Sequence, residues 1–154
     1  DNHLIISNKV DGYRYNYTKA VYENDNYRDA STSFSAGGIL TTAKDLLIWD
    51  RALAKNRLFS KTIKAKMTTS IASNYAYGWR TALPDRIDSL DLHWHAGRIT
   101  GFSSMMTRIP NEGYCVILLG NIRDVATVEI TNQIINILYG QPMTLPKRSL
   151  LKTL

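Results

Sequence analysis

A chain of 154 residues with 19 Lys and Arg against 13 Asp and Glu, a net charge of +6 and 44% hydrophobic residues has the size and composition of one globular domain. This excludes a wholly disordered or collagen-like chain, and the longest uncharged apolar run, Tyr114 to Asn121, falls far short of the roughly 20 residues of a membrane-spanning helix. The single cysteine, Cys115, excludes an intrachain disulfide and a multi-cysteine metal site. The opening residues Asp1 to Asn8 contain no basic start followed by an apolar core, so no export signal is expected within them.

Residues 1–36 are polar and tyrosine-rich, with Tyr13, Tyr15, Tyr17, Tyr22 and Tyr27 among Asn, Asp and Lys, and they read as an extended, loop-dominated arm. Between Tyr13 and Asp29 the basic residues Arg14, Lys19 and Arg28 are balanced by Glu23, Asp25 and Asp29, which argues against a stacking platform for single-stranded nucleic acid. Gly37-Gly38 breaks the chain before a helix from Thr42, its N-cap, to about Ala54, with Asp45 in the first turn and Leu46, Trp49, Ala52 and Leu53 at helical spacing. A second helix capped by Ser60 runs to about Thr69. On it Lys61 and Lys64 share one face while Ile63 and Met67 form another, the pattern of a solvated helix face. Lys61, Lys64 and Lys66 with Arg57, and Lys147, Arg148 and Lys152, are the densest basic clusters; the charge is otherwise dispersed, and no nucleic-acid partner is expected.

Four β segments follow, over Tyr75–Thr81, Leu90–His95, Gly101–Ile109 and Tyr114–Asn121, with Pro110-Asn111-Glu112-Gly113 as a hairpin turn in an antiparallel meander. Cys115-Val116-Ile117-Leu118-Leu119 is apolar throughout, which predicts a central strand covered on both faces. The cover is a helix from Val125 to Tyr139, capped by Asp124 and ended by Gly140, with Val128, Thr131, Ile134, Ile135 and Leu138 on one face. The expected fold is α+β, an antiparallel β-sheet with a C-terminal helix packed on it. Its regions are a tyrosine-rich arm over 1–36, helices, sheet and terminal helix over 37–140, and a basic tail over 141–154.

No G-x-G-x-x-G, phosphate loop or H-E-x-x-H occurs, and Gly101-Phe102-Ser103-Ser104-Met105 fails the nucleophile elbow G-x-S-x-G at its last position. In Asp91-Leu92-His93-Trp94-His95-Ala96-Gly97, Asp91, His93 and His95 share one face of a strand. Two imidazoles and a carboxylate are metal-binding types, but alternate residues of one strand stand about 6–7 Å apart, too far to chelate one ion easily. Hydrogen-bonded or exposed histidines are the better reading, and no cofactor or metal is expected.

The order Gly12-Tyr13, Gly37-Gly38 through Leu46, Tyr77-Gly78-Trp79, His95-Ala96-Gly97, Gly101-Phe102-Ser103-Ser104, Pro110 and Leu118-Leu119-Gly120-Asn121 resembles the second half of the serine β-lactamase and penicillin-binding-protein family. The likeness is to its class C-like branch, which also holds D-alanyl-D-alanine carboxypeptidases and esterases, and it covers about residues 11–139. The resemblance implies part of a β-lactamase/transpeptidase-like fold. It makes His95-Ala96-Gly97 the His-x-Gly motif on the strand edging the catalytic cleft. His95 is then the cationic or hydrogen-bonding group beside the nucleophile, Gly97 admits substrate backbone, and Arg98 offers its N–H as an oxyanion donor.

The family's nucleophile motif S-x-x-K belongs upstream of Gly12-Tyr13, followed by a Tyr-x-Asn motif. Ser149-Leu150-Leu151-Lys152 and Tyr22-Glu23-Asn24 spell these patterns in the wrong places. The chain is therefore expected to be the C-terminal portion of a serine hydrolase, inactive without its serine, whose complete form takes a small-molecule acyl substrate: a β-lactam, a D-Ala-D-Ala peptide or an ester. An exposed sheet edge favours self-association, and the resemblance implies a periplasmic or cell-envelope location. The alternative is a non-catalytic binding module using the same cleft edge.

Overall fold

The computed structural model describes residues 6–55, 58–83 and 90–146. Arg57, and the basic tail from Lys147 with Arg148, Lys152 and the tetrapeptide from Ser149, lie outside them. The elements are β1 (Tyr13–Asn16), β2 (Val21–Asn24), α1 (Ala43–Ala54), α2 (Lys61–Thr68), β3 (His93–Ile99), β4 (Phe102–Ile109), β5 (Tyr114–Gly120) and α3 (Thr127–Leu138), an α+β chain as the sequence predicts.

Local sequence sets the helix ends. Thr42 Oγ1 accepts the Asp45 N–H at 3.1 Å and donates to Asp45 Oδ2 at 2.8 Å, and Ser60 Oγ accepts the Ile63 N–H at 3.3 Å. Lys64, expected on a solvated face, instead closes the end of α1. Its Nζ donates to the carbonyls of Leu53 at 2.9 Å and Ala54 at 3.4 Å, a cation on the negative end of that helix. Asp124 does not cap α3; the cap position is Ala126, with no side-chain bond. The residues before it are held elsewhere, since the Arg123 N–H donates to the Tyr13 carbonyl and the Arg123 carbonyl accepts Ser103 Oγ, and regular helix begins later than the sequence pattern indicates.

β3, β4 and β5 form an antiparallel meander in that spatial order. The apolar run in β5 therefore does not mark a central strand: β4 is in the middle, and among the described residues β5 is an edge, with Leu119 45% exposed. The run is apolar because α1 and α3 both contact β5. Directly opposed residues share a face of the sheet. Trp94, Met105, Ile109 and Val116 meet Ile135 of α3 in the core, whereas His93, Arg108 and Cys115, opposed in register, lie on the other face, where Arg108 reaches Asp50 of α1. A fully buried side chain such as Met105 or Ile135 contributes roughly 1.5–3 kcal/mol.

The tyrosine-rich arm contains a hairpin, β1 with β2, in which the Tyr15 ring meets Tyr17 and Tyr22 edge-on. Hydrogen bonds from Asn16 and Arg14 to Glu23 hold that carboxyl below its usual range. Asp25 clamps the hairpin to the β3–β4 turn: its carboxylate, 2% exposed, accepts the Gly101 N–H at 2.6 Å. Gly12 and Gly101 meet backbone to backbone, and a Cβ on Gly12 would come within 2.8 Å of Gly101 Cα, which explains the Gly12-Tyr13 landmark.

Residues 75–81 do not form the expected strand. They close a tight turn by the bridges Ala72 to Tyr75 and Tyr75 to Arg80, with Gly78 at φ 78°, because left-handed backbone at Ser73, Asn74 and Gly78 interrupts extension.

Candidate active site

β3 begins later than the sequence pattern indicates and runs through the tripeptide to Ile99, so His95, Ala96, Gly97 and Arg98 all lie inside the strand. One edge of β3 pairs with β4. On the other, the Trp94 N–H donates to the Arg80 carbonyl at 2.9 Å and the Arg80 N–H donates to the Trp94 carbonyl at 2.8 Å. In an antiparallel ladder successive residues direct their backbone groups to opposite edges. The N–H groups of Ala96 and Arg98 therefore follow that of Trp94, away from β4, and among the described residues no backbone group pairs with them there.

His95 is exposed beside this margin. Its Nε2 lies 3.1 Å from the Tyr75 hydroxyl, and the two rings meet edge-on at 5.9 Å. The Arg80 guanidinium lies over the rings of Tyr75 at 5.3 Å and Trp94 at 5.6 Å, and the Trp94 indole N–H is fixed by the Ala82 carbonyl at 2.8 Å. Ser73, Asn74, Arg80, Trp94, His95 and Ala96 help line an open cleft of about 570 Å³. Gly97 faces Ser104 in register, and a Cβ on it would approach Ser104 Oγ to 2.7 Å.

Sequence reasoning singled out His95, Gly97 and Arg98, and the fold places all three on one strand margin. It missed Tyr75 and Arg80. The segment Tyr77-Gly78-Trp79 was a landmark in the sequence, but only the turn through Ser73 and Asn74 brings Tyr75 to His95. Ser103 is not free to react, its hydroxyl donating to the Arg123 carbonyl at 2.5 Å. Burial pushes the Cys115 thiol up to about 11, with the Asp50 carboxylate adding to the effect, so it stays protonated at neutral pH. Tyr22-Glu23-Asn24 sits in β2 of the hairpin.

His93 shares the face of His95 but is 7% exposed, and its Nδ1 has no hydrogen-bond partner among the described residues. Burial lowers its pKa, Asp91 at 3.6 Å opposes that effect and Arg108 adds to it. A folded-state pKa below the ordinary value of about 6.5 means that the unfolded chain binds the proton more readily. The stabilising contribution is complete above about pH 6.5 and is lost as pH falls through that value toward the lower folded one. Urea denaturation between about pH 7.5 and 5 should show stability declining in the native chain and a flatter dependence in His93→Gln. Equal slopes would remove His93 as the cause.

The family model described as Beta-lactamase matches residues 7–137, most of the chain. The chain belongs to the beta-lactamase family. Among curated relatives of this beta-lactamase-family chain, penicillin-binding protein 4* of Bacillus subtilis (strain 168) is 25% identical over 166 residues, covering 96% of this chain and 36% of the relative. Unguisins hydrolase ungD' of Aspergillus campestris (strain IBT 28561) is 27% identical over 123 residues, covering 71% of this chain and 22% of the relative. The beta-lactamase-family chain thus spans about a third or less of the curated relatives it matches. No helix among its described residues is long and apolar enough to cross a membrane.

Proposed function

We propose that this chain is the C-terminal portion of a serine hydrolase and supplies one wall of an acyl-transfer cleft, with His95-Ala96-Gly97 as the His-x-Gly motif. The observation that carries the reading is the outward Arg98 N–H beside an exposed imidazole, on a strand margin of a beta-lactamase-family chain. An amide aimed at open space can stabilise the oxyanion of a tetrahedral intermediate. His95 supplies a hydrogen bond or positive charge next to the attacking oxygen, and Gly97 leaves room for substrate backbone. Arg80, fixed over two aromatic rings, places a cation at the cleft and favours acyl substrates with a carboxylate, such as β-lactams or peptide C-termini. The reactive serine, in an S-x-x-K motif, is supplied by polypeptide outside these 154 residues. A periplasmic or cell-envelope address fits such substrates. The β5 edge, with exposed Leu119, and exposed Ile48 and Trp49 of α1, which packs against β5, favour self-association of the isolated chain.

Incubation with a fluorescent penicillin or an activated acyl ester tests the proposal. No covalent label is expected on the 154-residue chain, and a label on a serine is expected once the upstream coding region is restored. In that longer protein His95→Ala should lower the labelling rate. An extended protein that carries no label at any serine, or that loses nothing on His95→Ala, overturns the reading.

A further inference from the structure

We infer that Tyr75 is a positioning residue for His95, its hydroxyl holding the imidazole at the cleft rim in the tautomer protonated on Nδ1. The inference rests on the reading of His95 as a cleft group and names the residue that aims it. A neutral imidazole has one donor and one acceptor nitrogen, and a phenol hydroxyl can take either role. In the arrangement inferred, Tyr75 Oη, 3.1 Å from Nε2, donates, Nε2 accepts and the ring proton resides on Nδ1; the reverse arrangement, Nε2–H donating to the phenol oxygen, is the one the measurement below distinguishes from it. His95 then offers Nδ1–H as a hydrogen-bond donor while uncharged.

Tyr75 is itself held in place. Its N–H donates to the Ala72 carbonyl at 2.9 Å, and its carbonyl accepts the Ile71 N–H at 2.8 Å. The two residues before it, Ser73 at φ 49° and Asn74 at φ 59°, are both left-handed without being glycine. Such backbone costs energy and persists where its surroundings enforce it, often at functional sites. Here the Asn74 carbonyl accepts the Thr81 N–H at 2.9 Å, and Arg80 braces the Tyr75 ring. The strained turn and the cation hold the Tyr75 ring, and its hydroxyl reaches His95 Nε2.

Long-range proton–nitrogen NMR of the ¹⁵N-labelled 154-residue chain at about pH 8, where a histidine is ordinarily neutral, reads the tautomer directly. The native His95 should be mainly Nδ1–H. Tyr75→Phe, which removes one oxygen, should move the ratio about fivefold toward Nε2–H, the effect of one ordinary hydrogen bond, whereas Tyr77→Phe should not move it. A native ring that is mainly Nε2–H overturns the inference on its own, even if Tyr75→Phe fails to fold. An unchanged ratio in a folded Tyr75→Phe overturns it as well. The measurement needs no turnover, so its failure is distinct from a failure of acyl labelling.

Discussion

In a protein that supplies the reactive serine, Arg98→Pro is expected to slow acylation about a hundred- to a thousandfold while leaving the fold in place. Proline removes the backbone N–H that would stabilise the oxyanion. Within a sheet that loss usually breaks the ladder, but a proline whose missing N–H would have faced the open side of an edge strand is tolerated. Arg98 meets that condition, because Trp94, four residues earlier in the same strand, sends its own N–H to Arg80 and not to β4. Arg98→Ala provides the control: it keeps the N–H, loses the exposed guanidinium, and should retain most of the rate. Acylation rates of the two variants, with thermal melts, decide the matter. Equal rates for a folded Pro variant and Ala would show that the amide at 98 stabilises no oxyanion.

Asp50→Ala should cost about 3–5 kcal/mol of folding stability, a large part of the roughly 5–15 kcal/mol typical of a domain. Arg108 Nε lies 2.5 Å from Asp50 Oδ1, with the two side chains only 9% and 7% exposed. Arg108 also stacks on Trp79 at 5.7 Å, which fixes the guanidinium where it is. Removing the carboxylate leaves that cation buried and unpaired. Replacing both partners with apolar residues, as in Asp50→Leu with Arg108→Met, should cost much less, because no charge is then left behind. Denaturant titration of Asp50→Leu, Arg108→Met and the double variant gives the coupling. A single-variant loss below about 1 kcal/mol would mean that water reaches Arg108 readily.

What the sequence disclosed was mostly local. Thr42 and Ser60 announced two helix starts, Pro110 to Gly113 announced the β4–β5 turn, and the order of short motifs announced the family, because each signal depends on residues close in the chain. What it concealed was contact across distance. Asp50 and Arg108 are 58 residues apart, Asp25 and Gly101 are 76 apart, and Tyr75 and His95 are 20 apart. A carboxylate in an amphipathic helix looks like a surface residue until its partner is known, and a tyrosine at the start of an expected strand gives no sign of the turn that brings it to His95. The misplacement of β5 has a related origin: an all-apolar strand signals cover on both faces but does not say whether both edges are paired.

The bridge between Arg80 and Trp94 joins two segments whose separation along the chain matters less than their phase. Amide direction in a strand has parity. Insertions or deletions between those two residues leave the aim of the amide at 98 intact provided that Trp94 keeps its partner, whereas one residue added between Trp94 and Arg98 would turn that amide inward. The number of residues between Arg80 and Trp94 is therefore free to drift, and the count from Trp94 to Arg98 is not.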